Sequence, residues 1–147
     1  MLLTMDEKVA KLKTPEDCAT FAKNARRLMR TDLALEAEAR SIELRAALYG
    51  VGSDAERECI EAVYAYEEVL TSKNGRRTRA SRTWQMIRRH GILAAVERAV
   101  NRPEETVGYT ALLERGLQRF AFEAVVVRHP TLFTAETVQR SIERTTA

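Results

Sequence analysis

The sequence predicts an all-α protein, arranged as a compact bundle of six to eight helices. Three observations lead to this class. Apolar residues recur at spacings of three and four through much of the chain, which is the period of an amphipathic helix. Capping patterns precede several of these stretches, and glycines follow them. Glycine and proline together contribute nine of 147 residues, six and three respectively, so long irregular segments are not expected.

A chain of this length most simply forms one domain, because single domains cluster at about 100–150 residues. We therefore expect one helical domain, 1–147, with an acidic half, 1–72, and a basic half, 73–147. The first half carries 10 basic and 14 acidic side chains, a net charge of −4. The second half carries 14 basic and 7 acidic side chains, a net charge of +7. This asymmetry indicates either a polyanionic partner or two faces that meet in a second copy.

Capping residues mark the first three helices. Thr4-Met5-Asp6-Glu7 has the form of a capping box and predicts a short helix over about residues 5–12. Thr14-Pro15 supplies an N-cap and a proline at the first helical position, which predicts a second helix to about Leu28. Thr31-Asp32 opens a third helix, and Gly50 is placed to end it in a left-handed conformation.

The next three helices follow from similar signals. Ser53-Asp54-Ala55-Glu56 is a second capping box, and the helix that it opens should run until Asn74-Gly75. The segment 79–90 is mostly polar around Trp84 and predicts a fifth helix. Gly91 ends that helix and separates it from a sixth, Ile92 to Val100.

The last third of the chain holds the most apolar stretch. Pro103 can start a seventh helix, which Gly116 weakens or kinks. Leu117 to Val127 then predicts a buried central helix, with Phe120 and Val127 on one face. Its run 124–127 could also be a strand, although no alternating partner strand is visible. Pro130 stops this segment, and Ala135 to Arg144 predicts a terminal amphipathic helix.

Cysteine usage and hydropathy predict a cytoplasmic protein with no membrane segment. Cys18 and Cys59 lie within helical apolar patterns, so we expect both thiols to be reduced and buried. No apolar run approaches the roughly 20 residues that span a bilayer. The first twelve residues lack the basic start and long apolar core of a secretory signal.

The most informative stretch is residues 70–91, LTSKNGRRTRASRTWQMIRRHG, which holds seven basic side chains and no acid. Arginine and lysine neutralise phosphates, so this stretch predicts nucleic-acid binding, to DNA or RNA, through a flexible loop and the following helix. Trp84 could stack on a base, but core packing fits it better. The competing interpretation pairs these charges with Glu61, Glu67 and Glu68. The candidate binding residues are Lys73, Arg76, Arg77, Arg79, Arg82, Arg88 and Arg89.

A helix-turn-helix around His90-Gly91 is the main way in which this region could read bases. Its second helix, ILAAVERAV, is too apolar for that role, and its Glu97 would face phosphates. Contact with the phosphate backbone therefore fits the sequence better than direct readout.

An enzyme is less well supported. His90 and His129 could form an acid–base pair, but both positions are ordinary for histidines at helix ends. Glu61 and Glu68 could hold a cation, although salt bridges to arginines are the simpler expectation. We expect no catalytic residues, metal or cofactor. The alternative function is a helical protein-interaction or homodimerisation module, with helices two and three supplying the contact face.

Overall fold

The computed structural model describes residues 6–102 and 105–146, and in them the all-α prediction is confirmed. The chain is 79% helical, with nine α-helices and no strand among the described residues. The helices are α1 Glu7–Ala10, α2 Pro15–Arg27, α3 Thr31–Tyr49, α4 Asp54–Asn74, α5 Ser81–His90, α6 Ile92–Val100, α7 Glu105–Glu114, α8 Phe122–Arg128 and α9 Ala135–Thr146. Two 3₁₀ turns, Gln118–Phe120 and Pro130–Leu132, flank α8. None of the described helices is both long enough and apolar enough to cross a membrane.

The chain divides into two compact units, Met1–Tyr49 and Gly50–Ala147. A single domain over 1–147 stays a prediction. In the first unit, α2 and α3 form a helical hairpin. Its core is built on alanines, whose small side chains let the two helices approach closely. The residues of this core are Ala22, Ala25, Ala34 and Ala37, with Leu12, Phe21 and Leu33 packed against them.

The N-caps predicted at Thr14 and Ser53 form, but the Glu56 carboxylate of the predicted capping box accepts from the Ser53 hydroxyl and not from the Ser53 amide. Thr14 Oγ1 accepts a hydrogen bond of 3.1 Å from the Asp17 amide, and Pro15 begins α2. Ser53 Oγ accepts one of 3.2 Å from the Glu56 amide and donates one of 3.0 Å to the Glu56 carboxylate. The predicted cap Thr4 and the helix start at Pro103 lie outside the described residues. The described part of the first helix begins after Asp6, whose carboxylate caps it.

The end of α2 places Met29 in the left-handed region, with φ of 63°. The Arg30 amide donates a 2.8 Å bond to the Ala25 carbonyl, which is the hydrogen bond of a Schellman termination. That termination normally uses glycine, because a Cβ in this conformation meets the following carbonyl oxygen. The Met29 side chain is 86% exposed, so little packing offsets this strain.

Met29→Gly is therefore expected to stabilise the first unit, by about 0.5–1 kcal/mol. Leu28→Gly is the matched control, since Leu28 is also exposed, at 71%, but has φ of −91°. Glycine at that position relieves no strain and should lower stability. Thermal unfolding followed by circular dichroism measures both variants. Equal destabilisation by the two substitutions would contradict the assignment of strain to Met29.

In the second unit, α4 packs against α6, α7 and α8. The apolar face of α6 is buried through Ala95, Val96, Ala99 and Val100. Its burial agrees with the prediction that ILAAVERAV is a core helix and not a base-reading one. Gly91 joins α5 to α6 with φ of 89° and ψ of 166°, a region that essentially only glycine occupies.

The predicted continuous helix from Leu117 to Val127 is wrong, although the burial predicted for this stretch is largely confirmed. Ala121 has φ of −64° and ψ of 150°, an extended conformation that separates the 3₁₀ turn from α8. This break resets the helical phase, so Phe120 and Val127 do not share a face. Phe120 is 2% exposed and Val127 is 39% exposed. Residues 124–127 are helical and not a strand.

Both cysteines are free and buried, as the sequence predicts. Burial raises the pKa of the Cys59 thiol to about 12, and it also raises the pKa of Cys18. Neither thiol is therefore a reactive thiolate near neutral pH.

The C-terminal helix α9 is attached through a buried ion pair. Arg144 Nη1 lies 3.0 Å from Glu123 Oε2 on α8 and donates a 2.6 Å bond to the Val100 carbonyl. Burial raises the pKa of Glu123, and the arginine partly offsets that effect. The ion pair and the carbonyl bond hold α9 against α8 and the end of α6.

Candidate nucleic-acid interface

The predicted binding residues lie on the last turn of α4, the following loop and α5. Gly75 ends α4 with φ of 69°, and the chain then runs through an irregular segment to Ala80, the residue before α5. All seven candidate residues have exposed side chains. We call this set the basic surface: Lys73, Arg76, Arg77, Arg79, Arg82, Arg88 and Arg89.

Two members of the basic surface lie near acids of α4. Arg77 Nη1 is 3.3 Å from Glu68 Oε1, and Arg79 Nε is 3.9 Å from Glu67 Oε2. Both arginines remain at least half exposed, at 52% and 70%. The competing interpretation of the sequence is therefore correct for these two charges. The other five form no ion pair with any acid in the described part of the chain; they are Lys73, Arg76, Arg82, Arg88 and Arg89.

The loop before α5 is held by side-chain hydrogen bonds. The Thr78 amide donates a 3.0 Å bond to Thr71 Oγ1, and the Thr71 hydroxyl lies 3.4 Å from the Thr78 carbonyl. Asn74 Nδ2 donates a 3.1 Å bond to Thr78 Oγ1, whose own hydroxyl donates to the Arg76 carbonyl at 2.9 Å. The sequence predicted a flexible loop here, whereas these hydrogen bonds constrain it. They hold Arg76 and Arg77 close to the end of α4.

Glu67 attaches the start of α5 to α4. Its side chain is nearly fully buried, and Oε2 accepts a 2.9 Å bond from the Ala80 amide and a 2.7 Å bond from Trp84 Nε1. Two donors of different elements therefore converge on one carboxylate oxygen. The sequence suggested Glu67 only as a partner for nearby arginines, so its principal role was missed.

Trp84 is a core residue, as the sequence favoured. It is 5% exposed, and its ring lies 5.4 Å from that of Tyr64 at an interplanar angle of 59°. Its N–H is taken by Glu67, and the Arg79 guanidinium lies 5.8 Å from its ring centroid. With its faces and its donor occupied, Trp84 is not positioned to stack on a nucleobase.

The C-terminal end of α5 continues the positive surface towards α6. The pKa of His90 is lowered, first by desolvation and then by the positive charges of Arg98 and Arg89. Arg98 is exposed on α6, so its charge adds to the field at this end of the basic surface. Arg89 and Arg98 therefore extend the positive charge of the basic surface to this end of α5.

The other candidate chemistries have structural explanations. Glu61 lies 3.8 Å from Arg57, and Glu68 pairs with Arg77, which are the salt bridges that the sequence favoured over a cation site. The two histidines have different surroundings. His129 Nε2 is 2.8 Å from Glu58 Oε2, whereas His90 lies near Arg89 and Arg98. The bonds from His129 and Arg128 outweigh burial and lower the pKa of Glu58. In the described residues, no three histidine, cysteine or acidic side chains form a group that could hold a metal ion.

No family model, curated protein or solved structure matches the chain. The chemistry of the surface is therefore what indicates a function for this chain. The basic surface carries seven exposed basic side chains, and hydrogen bonds to Thr71 and Glu67 hold its loop and the start of α5.

Proposed function

We propose that the protein is a non-catalytic nucleic-acid-binding protein that contacts the phosphate backbone through residues 73–89. One observation carries the proposal: five exposed basic side chains without acidic partners in the described residues lie on one short segment. On an ordinary solvated surface, acidic side chains are interspersed among the basic ones. Phosphates are the ligands that such a cluster of arginines and lysines neutralises best, with release of condensed counterions.

The attachment of this segment supports the same function. The Glu67 and Thr71 bonds hold the loop and the start of α5, so binding would order fewer backbone groups than a free loop requires. The unpaired side chains, led by Arg76 and Arg82, should contribute most. Arg77 and Arg79 share their charge with Glu68 and Glu67 and should contribute less.

Fluorescence anisotropy of a labelled DNA duplex at several salt concentrations tests the proposal. Four to six phosphate contacts predict a slope of log affinity against log salt of roughly −4 to −5, at about −0.9 per contact. Arg76→Ala combined with Arg82→Ala should flatten this slope by about two and weaken binding to all sequences alike.

The matched control removes two positive charges elsewhere. Lys11 and Lys23 are exposed in the first unit and lie outside the basic surface. Lys11→Ala combined with Lys23→Ala lowers the net charge by the same amount, so the salt slope should stay unchanged. If both double variants lost affinity equally, the contact would not be localised to residues 73–89.

The alternative is a protein-interaction or homodimerisation module. The alanines of α2 and α3 that suggested such a face are buried within the hairpin itself, which weakens that support. Absence of binding below high micromolar concentrations at low salt would favour this alternative. Light scattering at low and high salt would then test for a dimer, because an apolar helical interface persists in salt whereas a charge-paired one dissociates.

We also propose a cytoplasmic location. Support comes from Cys18 and Cys59, whose thiols are both free and do not form a disulfide. Free thiols are typical of compartments in which glutathione and thioredoxin keep cysteines reduced.

A further inference from the structure

The exposed face of α5 has a particular arrangement of polar side chains. Trp84 and Ile87 bury one side of the helix. At about 3.6 residues per turn, five exposed residues on the other side fall within an arc of roughly 120° with Gln85 at its centre, and the exposed His90 at the end of the helix lies outside this arc. These residues are Ser81, Arg82, Gln85, Arg88 and Arg89.

The spacing along α5 matches a groove bounded by phosphates. Arg82 and Arg88 lie about 60° to either side of Gln85 around the helix axis, so they flank it on the exposed face. The major groove of B-form DNA is about 12 Å wide and admits an α-helix, with the phosphates of the two strands on its two sides. In a helix that lies along the groove with Gln85 towards its floor, these two long arginine side chains can therefore reach the phosphates of opposite walls.

Gln85 lies between those two arginines and is exposed. Its carboxamide has no hydrogen-bond partner among the side chains and backbone groups that the structure describes. A glutamine at the middle of such a face offers one donor and one acceptor towards the groove floor. Adenine presents the complementary pair there, N6 as donor and N7 as acceptor.

We propose that α5 enters the major groove of double-stranded DNA, with Arg82 and Arg88 on the phosphates and Gln85 hydrogen-bonded to an adenine edge. This inference rests on the proposed function and adds the duplex as its ligand and Gln85 as its specificity-determining residue. The helix that contacts the bases is then α5 and not α6, because the apolar face of α6 is buried in the core.

The state of Trp84 favours a duplex over a single strand. Proteins that bind single strands typically stack bases on exposed aromatic rings. Trp84, the tryptophan of this segment, is buried, and Glu67 occupies its N–H. The basic surface therefore offers phosphate contacts and a polar helix face without a stacking platform.

The test is selection of binding sites from a random duplex library, carried out with the wild-type protein and with Gln85→Ala. The wild-type protein should enrich a short motif that contains adenine. In anisotropy titrations, changing that adenine to guanine should weaken wild-type binding roughly tenfold or more. Gln85→Ala should lose this discrimination and keep the salt dependence of binding to unselected DNA. Gln139→Ala, at an exposed glutamine of α9, should keep the discrimination.

The outcomes separate this inference from the proposed function. Binding to unselected duplex with a steep salt slope but no enriched motif would overturn the role of Gln85 and leave backbone binding intact. A single-stranded or RNA-duplex probe of equal length bound as tightly as the DNA duplex would also overturn the inference alone. Failure to bind every probe at low salt would overturn both.

Discussion

Glu67→Ala is expected to destabilise the unit Gly50–Ala147 by roughly 3–6 kcal/mol, since each of two hydrogen bonds to a carboxylate contributes about 1.5–3 kcal/mol. The substitution leaves the Ala80 amide and Trp84 Nε1 without their acceptor in a buried site. A typical domain is stable by only about 5–15 kcal/mol, so this loss is a large share. It should also release the start of α5 from α4.

Trp84 makes this prediction measurable, because it is the single tryptophan of the chain and lies in the affected unit. Chemical unfolding followed by its fluorescence should show an earlier midpoint, and the native emission should shift to longer wavelength as water reaches the indole. An unchanged midpoint and emission maximum in Glu67→Ala would exclude the anchoring role.

Glu67→Gln is the matched control because it removes the charge and keeps one acceptor oxygen in nearly the same shape. It should destabilise the unit less than alanine does. In DNA binding, the two variants should also distinguish the effect of the Glu67 charge from the effect of holding α5 in place. Loss of a negative charge alone should leave binding unchanged or tighter in Glu67→Gln. Detachment of α5 in Glu67→Ala should weaken it.

Glu67 also shows what the sequence can and cannot reveal about this site. It lies at an apolar position of α4, in the same helical register as Ile60 and Val63. An acid at a buried register is a signal that a partner must exist, because an unpaired buried carboxylate is costly. The identity of the partner depends on tertiary packing, which brings Trp84, 17 residues further along the chain, onto that oxygen.

The helix boundaries were predictable where a local mechanism sets them. Thr14, Ser53 and Gly91 act through their own side chains or backbone freedom, and each performs the predicted role. The stretch 117–127 has no such local marker. Its apolar composition predicts burial, which depends on hydropathy, but not the extended conformation of Ala121 that divides it.

The exposure of the basic surface was also predictable, because charge without apolar periodicity indicates a solvated segment. The selection of α5 over α6 was not, since it requires knowledge of which face of each helix is covered. Gln85 carries no sequence signal of its own. Its central position on the exposed arc becomes visible only when Trp84 and Ile87 are placed in the core.

Phe120→Ala is expected to destabilise the same unit by about 3–5 kcal/mol, through lost burial and the cavity that remains. Phe120 is 2% exposed, and the Arg119 guanidinium lies 4.1 Å from its ring centroid. Phe120 is the last residue of a 3₁₀ turn and precedes the extended Ala121. Fluorescence of Trp84 during urea unfolding reports the midpoint of this unit.

Val127→Ala is the control that distinguishes the observed structure from a continuous helix over 117–127. In a continuous helix the two residues are seven apart, share a face and would both cost stability when truncated. The break at Ala121 leaves Val127 at 39% exposure, so its truncation should cost less than about 1 kcal/mol. Comparable losses in Phe120→Ala and Val127→Ala would contradict the break, because only an unbroken helix buries both side chains.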